Sequence, residues 1–384
     1  MSETADTIAP VKALHTSDWH VGRTIRGRSR AEEHRSVLSE ITRHAAHHAV
    51  DVVLVAGDLF DVATPTPESE SIVYRAVLDL AEVAPVVAVS GNHDNPRRFD
   101  AIRPLLDLGR VTVVSSIARP QDGGVLELDD IGVRLVPIPW TSQRAIVTAA
   151  DLFDKDRDDT ATQYIDRMRR VVAALTADAA TDVVNVVVGH VMMHADPSGS
   201  ERLAHTIYDY SLPAQIFPGH LTYVALGHLH RPQRVPAPVP VRYSGSPMQL
   251  DFGEAGEAKS VVLVKAGPGA PASIDLLEIT SGTPLVQLRG TLEQVLASAD
   301  GLGEAHVKVV LDEAPRVGLA DEVRSRIPGV VDVGIERSVD EPARRRVRSR
   351  LGRRPSELFA EYLEGSGGDP ALVAVFDELY DEVT

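Results

Sequence analysis

Residues 52–61 read VVLVAGDLFD. The uninterrupted apolar run Val52–Ala56 has strand length and is rich in Val, the pattern of a strand buried on both faces of a layered sheet. Gly57 ends it. A residue without a Cβ lets the chain turn sharply at the sheet edge, so the Asp58 carboxylate can project into a cleft beyond the strand ends.

The same arrangement recurs outward along the chain. Strand-like runs lie at Val11–Thr16, Val86–Ser90, Val111–Val114, Val133–Ile138, Val183–Val188 and Tyr223–Leu226. Helical spacing appears in Ala31–Ala49, through Val37, Leu38, Ile41 and Ala45, and in Glu68–Glu82. This alternation from Val11 to Ile279 predicts a layered α/β domain over residues 1–280. The stretches Gly123–Asp130 and Gly253–Lys259 read as hairpin signals that add antiparallel strands.

Gly/Pro-rich breaks at Gly267–Pro271 and Ser281–Pro284 precede a change of register. Residues 281–336 then read as a small α+β module: strand Leu285–Leu288, helix Leu292–Ala299, strand His306–Leu311, helix Leu319–Ile327 and strand Val330–Ile335. Residues 337–384 hold a basic run, Arg344–Arg354, and two short amphipathic patterns, Pro355–Leu363 and Pro370–Val383.

Composition narrows the chemistry. The 384 residues carry 39 basic and 55 acidic side chains, a net charge of -16, with 43% hydrophobic residues, as in an ordinary globular protein. The expected location is the cytoplasm: no apolar stretch is long enough to cross a bilayer, and the opening MSETADTIAP has neither a basic start nor an apolar run. The absence of cysteine excludes a disulfide scaffold, zinc–cysteine fingers, iron–sulfur ligation and a thiol nucleophile. Any metal must be held by His, Asp, Glu or Asn. The acidic balance argues against coating nucleic acid through the overall field, and leaves phosphate contacts to a local basic patch or a partner.

Five polar islands follow predicted strands: Asp18-Trp19-His20, Gly57-Asp58-Leu59-Phe60-Asp61, Gly91-Asn92-His93-Asp94, Gly189-His190 and Gly227-His228-Leu229-His230. One Asp-x-His or Gly-Asp is a common cap or turn. Gly-Asn-His-Asp is more specific, because a turn has no need of the His. Gly-His-Leu-His sets two imidazoles on one side of an extended segment. Together Asp18, His20, Asp58, Asn92, His190, His228 and His230 offer mixed oxygen and nitrogen ligands for two divalent metals, with a carboxylate able to bridge them. Metals about 3.5–4 Å apart suit phosphodiester hydrolysis. Of the other histidines, His34, His44, His47 and His48 read as a solvated helix face, His15 as a satisfied interior side chain, and His194, four residues after His190, as a loop residue in preference to a support for the ligands. His205, His220 and His306 carry no spacing signal.

These islands, in this order, resemble the calcineurin-like metallophosphoesterase family. The strings Ser17–His20 (SDWH), Gly57–Asp61 (GDLFD), Tyr223–Gln233 (YVALGHLHRPQ) and Tyr243–Gly253 (YSGSPMQLDFG) narrow the resemblance to its double-strand-break repair nucleases. The resemblance implies a four-layer α/β/β/α sandwich, a DNA-capping role for the small module and a partner-binding role for the tail. It also implies that Asp18, His20, Asp58 and His230 hold one metal, and Asp58, Asn92, His190 and His228 the other, with manganese as the preferred ion. His93 is then the non-ligand histidine acting on the scissile phosphate, as proton donor or transition-state stabiliser. The implied activity is ATP-dependent 3′ to 5′ exonuclease action on duplex ends, with endonuclease cleavage of single strands and hairpins. ATP would bind an ABC-type ATPase partner with a coiled coil, since this chain lacks a Gly-x-x-x-x-Gly-Lys-Ser/Thr loop. A homodimer within a heterotetramer is implied as well.

One departure concerns Asp61, which stands where some relatives carry a His three positions after the bridging Asp. Either His93 bears more of the acid role, or Asp61 orients a ligand histidine; the orienting role is preferred, with Asp94 a second candidate for such support. Arg97, Arg98 and Arg231 flank the islands as phosphate contacts or ordinary surface arginines. Arg344–Arg354 reads as a DNA contact or a solvated linker. Leu358, Phe359, Tyr362, Leu363, Phe376 and Leu379 are expected to dock on the partner's coiled-coil base, the alternative being packing on the small module. Two other classes compete: a phosphatase or phosphodiesterase acting on small phosphoesters, and a non-enzymatic adaptor.

Overall fold

The computed structural model describes residues 10–142, 157–193, 211–336, 355–366, 369 and 371–383. The basic run Arg344–Arg354, His194 and His205 lie outside the described residues.

Two six-stranded sheets face each other. The first runs in the order β14 (Ser273–Glu278), β13 (Ser260–Ala266), β1 (Val11–Thr16), β4 (Val52–Val55), β5 (Val86–Val89), β6 (Val111–Val114). Its β1, β4, β5 and β6 are parallel, while β13 and β14 are antiparallel additions. The second runs β11 (Gln233–Val235), β12 (Val241–Tyr243), β10 (Tyr223–Gly227), β9 (Val184–His190), β8 (Val133–Ile138), β7 (Leu126–Leu128). A two-residue ladder, β2 (Thr24–Ile25) with β3 (Arg28–Ser29), stands apart.

Side-chain alternation explains the continuous apolar runs. Leu14, Val53 and Val55 pack outward against α1 (Ala31–His48), α2 (Pro67–Val83) and α3 (Pro96–Leu106). Ala13, Val52 and Leu54 point inward and meet Leu135, Val186 and Val188 of the second sheet. The outer face of that sheet is covered by α4 (Arg157–Thr176), through Tyr164, Met168 and Val172. The result is a four-layer α/β/β/α sandwich.

Three local expectations are corrected. Gly253–Lys259 is not a hairpin: a 3₁₀ turn at Phe252–Glu254 leads on toward β13, because Glu254 and Lys259 turn inward and pair at 2.7 Å. The hairpin turn instead joins β13 to β14, at the Gly/Pro-rich stretch that reads as a break. His34 is not on a solvated face; it is buried beside Val37 and donates from Nδ1 to Arg30 O at 2.9 Å. His15 is interior, held by Tyr223 Oη at 2.9 Å and Leu226 O at 3.1 Å.

Beyond this sandwich, β15 (Leu285–Gly290), β16 (His306–Leu311) and β17 (Val330–Ile335) form a parallel sheet with α5 (Leu292–Ala297) and α6 (Leu319–Arg326). Val295, Val307, Val309, Leu311 and Val323 build a core of their own there. In the tail, α7 (Pro355–Ser366) and α8 (Leu372–Val383) stack Phe359 on Phe376 at 4.4 Å. Leu363 is buried, whereas Tyr362 and Leu379 stay exposed. Among the described residues no helix is long and apolar enough to cross a membrane.

The chain between sandwich and module is clamped by carboxylates of α1. Glu40 accepts from Thr280 N, Thr280 Oγ1 and Ser281 N at 2.8–3.2 Å, and Glu33 from Thr283 N at 2.8 Å. Burial alone would raise the Glu40 pKa, but the donors of Ser281 and Thr280 outweigh it and hold it below the ordinary glutamate value. Its stabilising contribution is therefore full above that ordinary value and is lost as pH falls from there through the lowered one. Glu40→Ala should destabilise the chain at neutral pH by about 1–3 kcal/mol in denaturant melts and open residues 280–283 to limited proteolysis.

Candidate metal centre

All five islands meet at one end of the two facing sheets. Asp18 and His20 follow β1, Asp58 follows β4, and Asn92 with His93 follows β5. His190 closes β9, and His228 and His230 follow β10. Because β4 lies between β1 and β5, Asp58 sits between their ligand sets, and the second sheet supplies the imidazoles from across the cleft.

Ligand-type atoms of Asp18, His20 and His230 lie within 4.8 Å of one another, as do those of Asp18, Asp58 and His190, and those of His20, Asp58 and His93. Asp18, His20, Asp58, His190 and His230 are all buried. Glycine makes the approach feasible. A Cβ on Gly91 would fall 2.1 Å from Asp58 Oδ1, and one on Gly57 2.4 Å from His190 Nδ1.

The backbone is bent to fit. Asp18, His20, Asp58 and His228 all have positive φ, 54°, 46°, 53° and 109°, each at a cost of order 1–3 kcal/mol. Hydrogen bonds hold the bends: His228 N donates to Asp18 Oδ1 at 2.9 Å, His93 N to Asp58 Oδ1 at 2.8 Å, and His20 N to Asp58 O at 3.0 Å.

Proton positions test whether cations fit. His190 Nδ1 faces the carbonyl of Ala56 at 2.8 Å and so carries the proton. Its Nε2 then faces only acceptors, Asn92 Oδ1 at 2.9 Å and Asp58 Oδ2 at 3.3 Å. His230 Nδ1 faces Glu254 Oε1 at 3.0 Å, and His20 Nδ1 faces Asp61 Oδ1 at 3.3 Å. That leaves the two Nε2 atoms 3.1 Å apart. Lone pairs converging on each other and on carboxylates need positive charge among them, which divalent ions supply. Burial alone would push Asp58 up and His190 down, yet their proximity reverses both, holding Asp58 well below and His190 above its ordinary value. Burial, with His190 alongside, keeps His228 neutral and able to donate its lone pair.

The remaining predicted residues separate. Asp61 lies beside His20 and 3.3 Å from Arg23, and its carbonyl accepts from His93 Nδ1 at 2.8 Å, a geometry suited to orienting histidines. Asp94 is no ligand-like group here: its carboxylate accepts from Leu59, Phe60 and Gly91 N–H groups, tying the Asp58 turn to the Asn92 turn. Burial and the Asp58 charge push its pKa up to about 7. Arg98 is bound to Glu70 at 2.5 Å, while Arg97 and Arg231 are exposed.

Sequence reasoning missed Trp140, whose ring stacks on His228 at 5.1 Å, and the buried pair Glu254 and Lys259. Trp140 follows β8 at the same sheet end, which is the signal that would have found it. Gly91→Ala should weaken Mn²⁺ binding roughly tenfold or more in a titration while the circular dichroism spectrum is kept. Gly219→Ala, where a Cβ meets nothing within 4 Å, should bind as the unmodified chain does.

A model of calcineurin-like phosphoesterases matches residues 11–232. The SbcD component of the SbcCD nuclease of Bacillus subtilis is 34% identical over 309 residues, covering 77% of this chain and 74% of that protein. Its namesake in Escherichia coli is 31% identical over 307 residues, covering 76% and 74%, and that of Rhodobacter capsulatus 31% over 313 residues, covering 76% of each. With the sandwich and the convergent His/Asp cluster, these matches show that the chain belongs to the calcineurin-like phosphoesterase family, in the branch of the SbcD proteins of SbcCD nucleases.

Proposed function

We propose that the chain is a metal-dependent DNA nuclease subunit that hydrolyses phosphodiester bonds in partnership with SbcC, an ABC-type ATPase with a coiled coil. The observation that carries this reading is the convergence of Asp18, His20, Asp58, His190 and His230 in one buried cluster, with Asn92 and His228 at its edge. Asp18, His20, Asp58 and His230 hold one divalent ion, and Asp58, Asn92, His190 and His228 the other, both manganese in this proposal. Bound there, the ions supply Lewis acidity for activating water and neutralising phosphoryl charge.

The chain's own groups do the rest. His93 is oriented by two hydrogen bonds, its backbone N–H to Asp58 and its Nδ1–H to Asp61 O. In the imidazolium form the ring keeps a second proton at Nε2 for the departing sugar oxygen. Asp61 aligns His20, and Asp94 fixes the two turns relative to each other.

DNA is the substrate that the surroundings favour. A cleft of about 370 Å³ borders Asp61, and Arg23, Arg26, Asp251 and Lys308 of β16 are among the residues that line it. Its three cations stand beside two carboxylates, Asp61 and Asp251, and Arg23, Arg26 and Lys308 are the groups proposed to meet phosphates despite the net charge of -16. The exposed Arg97 and Arg231 are further phosphate contacts in this proposal, and residues 281–336 act as the DNA-capping module. The activity is 3′ to 5′ exonucleolytic on duplex ends and endonucleolytic on single strands and hairpins, for end processing in repair, with ATP bound by SbcC. The protein acts as a homodimer within a heterotetramer, in the cytoplasm on the nucleoid.

In the tail, Phe359 stacks on Phe376 and Leu363 is buried, and the exposed Tyr362 and Leu379, with Leu372 and Val375, form the face offered to SbcC, to which Leu358 is also assigned in this proposal.

Three measurements test this reading. Mn²⁺-dependent cleavage of a hairpin or blunt duplex, with and without SbcC and ATP, should exceed turnover of a small phosphodiester. Turnover of the small substrate alone would move the chain to the small-phosphoester class, and no turnover to the adaptor class. His93→Ala should lower cleavage by roughly 100-fold or more with Mn²⁺ affinity unchanged. Deletion from Arg353 onward should abolish co-purification with SbcC; an undiminished complex rejects the docking face.

A further inference from the structure

The segment Tyr243–Lys259 includes one of the strings that mark the family resemblance, yet none of its residues has a place in the candidate ligand set. Its side chains reach that set from behind. Ser244 Oγ lies 2.6 Å from Ser17 Oγ, which donates to Asp18 Oδ2 at 2.5 Å. Glu254 is fully buried: Oε1 accepts from His230 Nδ1 at 3.0 Å, and Oε2 from Leu250 N at 3.0 Å and Lys259 Nζ at 2.7 Å. Lys259, buried as well, also donates to His230 O at 3.0 Å and to Ser246 Oγ at 3.1 Å.

A buried ion pair is a poor source of stability, because desolvating both charges offsets most of their attraction, and an apolar pair of similar volume serves the fold as well. What an apolar pair cannot do is hold a proton on a chosen nitrogen of a neighbouring imidazole. An ionised Glu254 accepts hydrogen bonds and donates none, so His230 must carry its proton on Nδ1. The lone pair of Nε2 then faces His20, 3.1 Å away, in the group that His20 and His230 form with Asp18. Lys259 keeps Glu254 in place and, by bonding the His230 carbonyl, fixes the backbone of the same histidine. His190, in contrast, is oriented by Ala56 O, a group outside this segment.

We propose that Glu254 and Lys259 are positioning residues that lock His230 in its Nδ1–H tautomer, and so set the affinity of only the half-centre formed by Asp18, His20 and His230. The inference rests on the metal-dependent reading above. It gives Tyr243–Lys259 a role as the support of one of two metals.

The test uses the full-length chain and Mn²⁺ as probe. Glu254→Gln keeps the shape and removes one charge; the double variant Glu254→Gln/Lys259→Met removes both and leaves the net charge unchanged. Binding isotherms should show two Mn²⁺ sites in the unmodified chain. In both variants one site should keep its affinity and the other should weaken by about 10–100-fold. Imidazole ¹⁵N shifts of the metal-free proteins should place the His230 proton on Nδ1 in the unmodified chain and on a mixture of nitrogens in the variants. An unmodified chain that takes up no Mn²⁺ overturns the metal reading and this inference with it. Two Mn²⁺ sites in every protein with equal affinities, or equal weakening of both sites in the variants, overturns this inference alone.

Discussion

A buried carboxylate cannot remain ionised unless positive charge or donors surround it, and Asp58, only 2% exposed, meets this requirement from three directions. Its position explains the topology around it. On a central strand it has a neighbour on each side within its own sheet and a second sheet opposite, so three directions can supply partners. Asp18 and His20 come from one flank, Asn92 and His93 from the other, and His190, His228 and His230 from across the cleft. No edge strand offers that. The two apolar layers that enclose β4 are thus the scaffold that brings groups widely separated in sequence within 4.8 Å of each other.

Strain marks the same place. Of the seven non-glycine residues with positive φ among those described, four are candidate ligands. Such conformations persist only where surrounding contacts over-determine them, and here they are held by backbone donors aimed at Asp18 and Asp58 and by glycines with no Cβ to obstruct them. Stability has been given up locally so that side chains of opposite strands can converge.

Much of this was legible in the residues. The Val-rich runs marked the central strands because burial on both faces leaves no polar position to confuse the pattern, and the polar residue after each terminal glycine marked the cleft. Reading failed where an apolar pattern was weak or a polar residue was buried. Gly253–Lys259 read as a surface hairpin because Glu254 and Lys259 are ordinarily solvated, and only the pairing of their charges sends them inward. His34 read as solvated for the same reason, until its bond to Arg30 O satisfied it. Trp140 carries no motif; its stacking on His228 arises from two strands adjacent to β9 on opposite sides, a proximity set by sheet order alone.

The order of the strands also bears on synthesis. Strand β1 is made first, but its antiparallel neighbour β13 is made about 250 residues later, as their pairing of Val11 with Ala266 shows. Until then one side of β1 has no partner, although His228, whose N–H donates to Asp18, and Ser244, which bonds Ser17, precede β13 in the chain. His20, Asp58 and His93 come from the first sheet, but His190, His228 and His230 come from the second, so the full ligand cluster requires both. The complete ligand set is thus a property of the two sheets together and of neither alone.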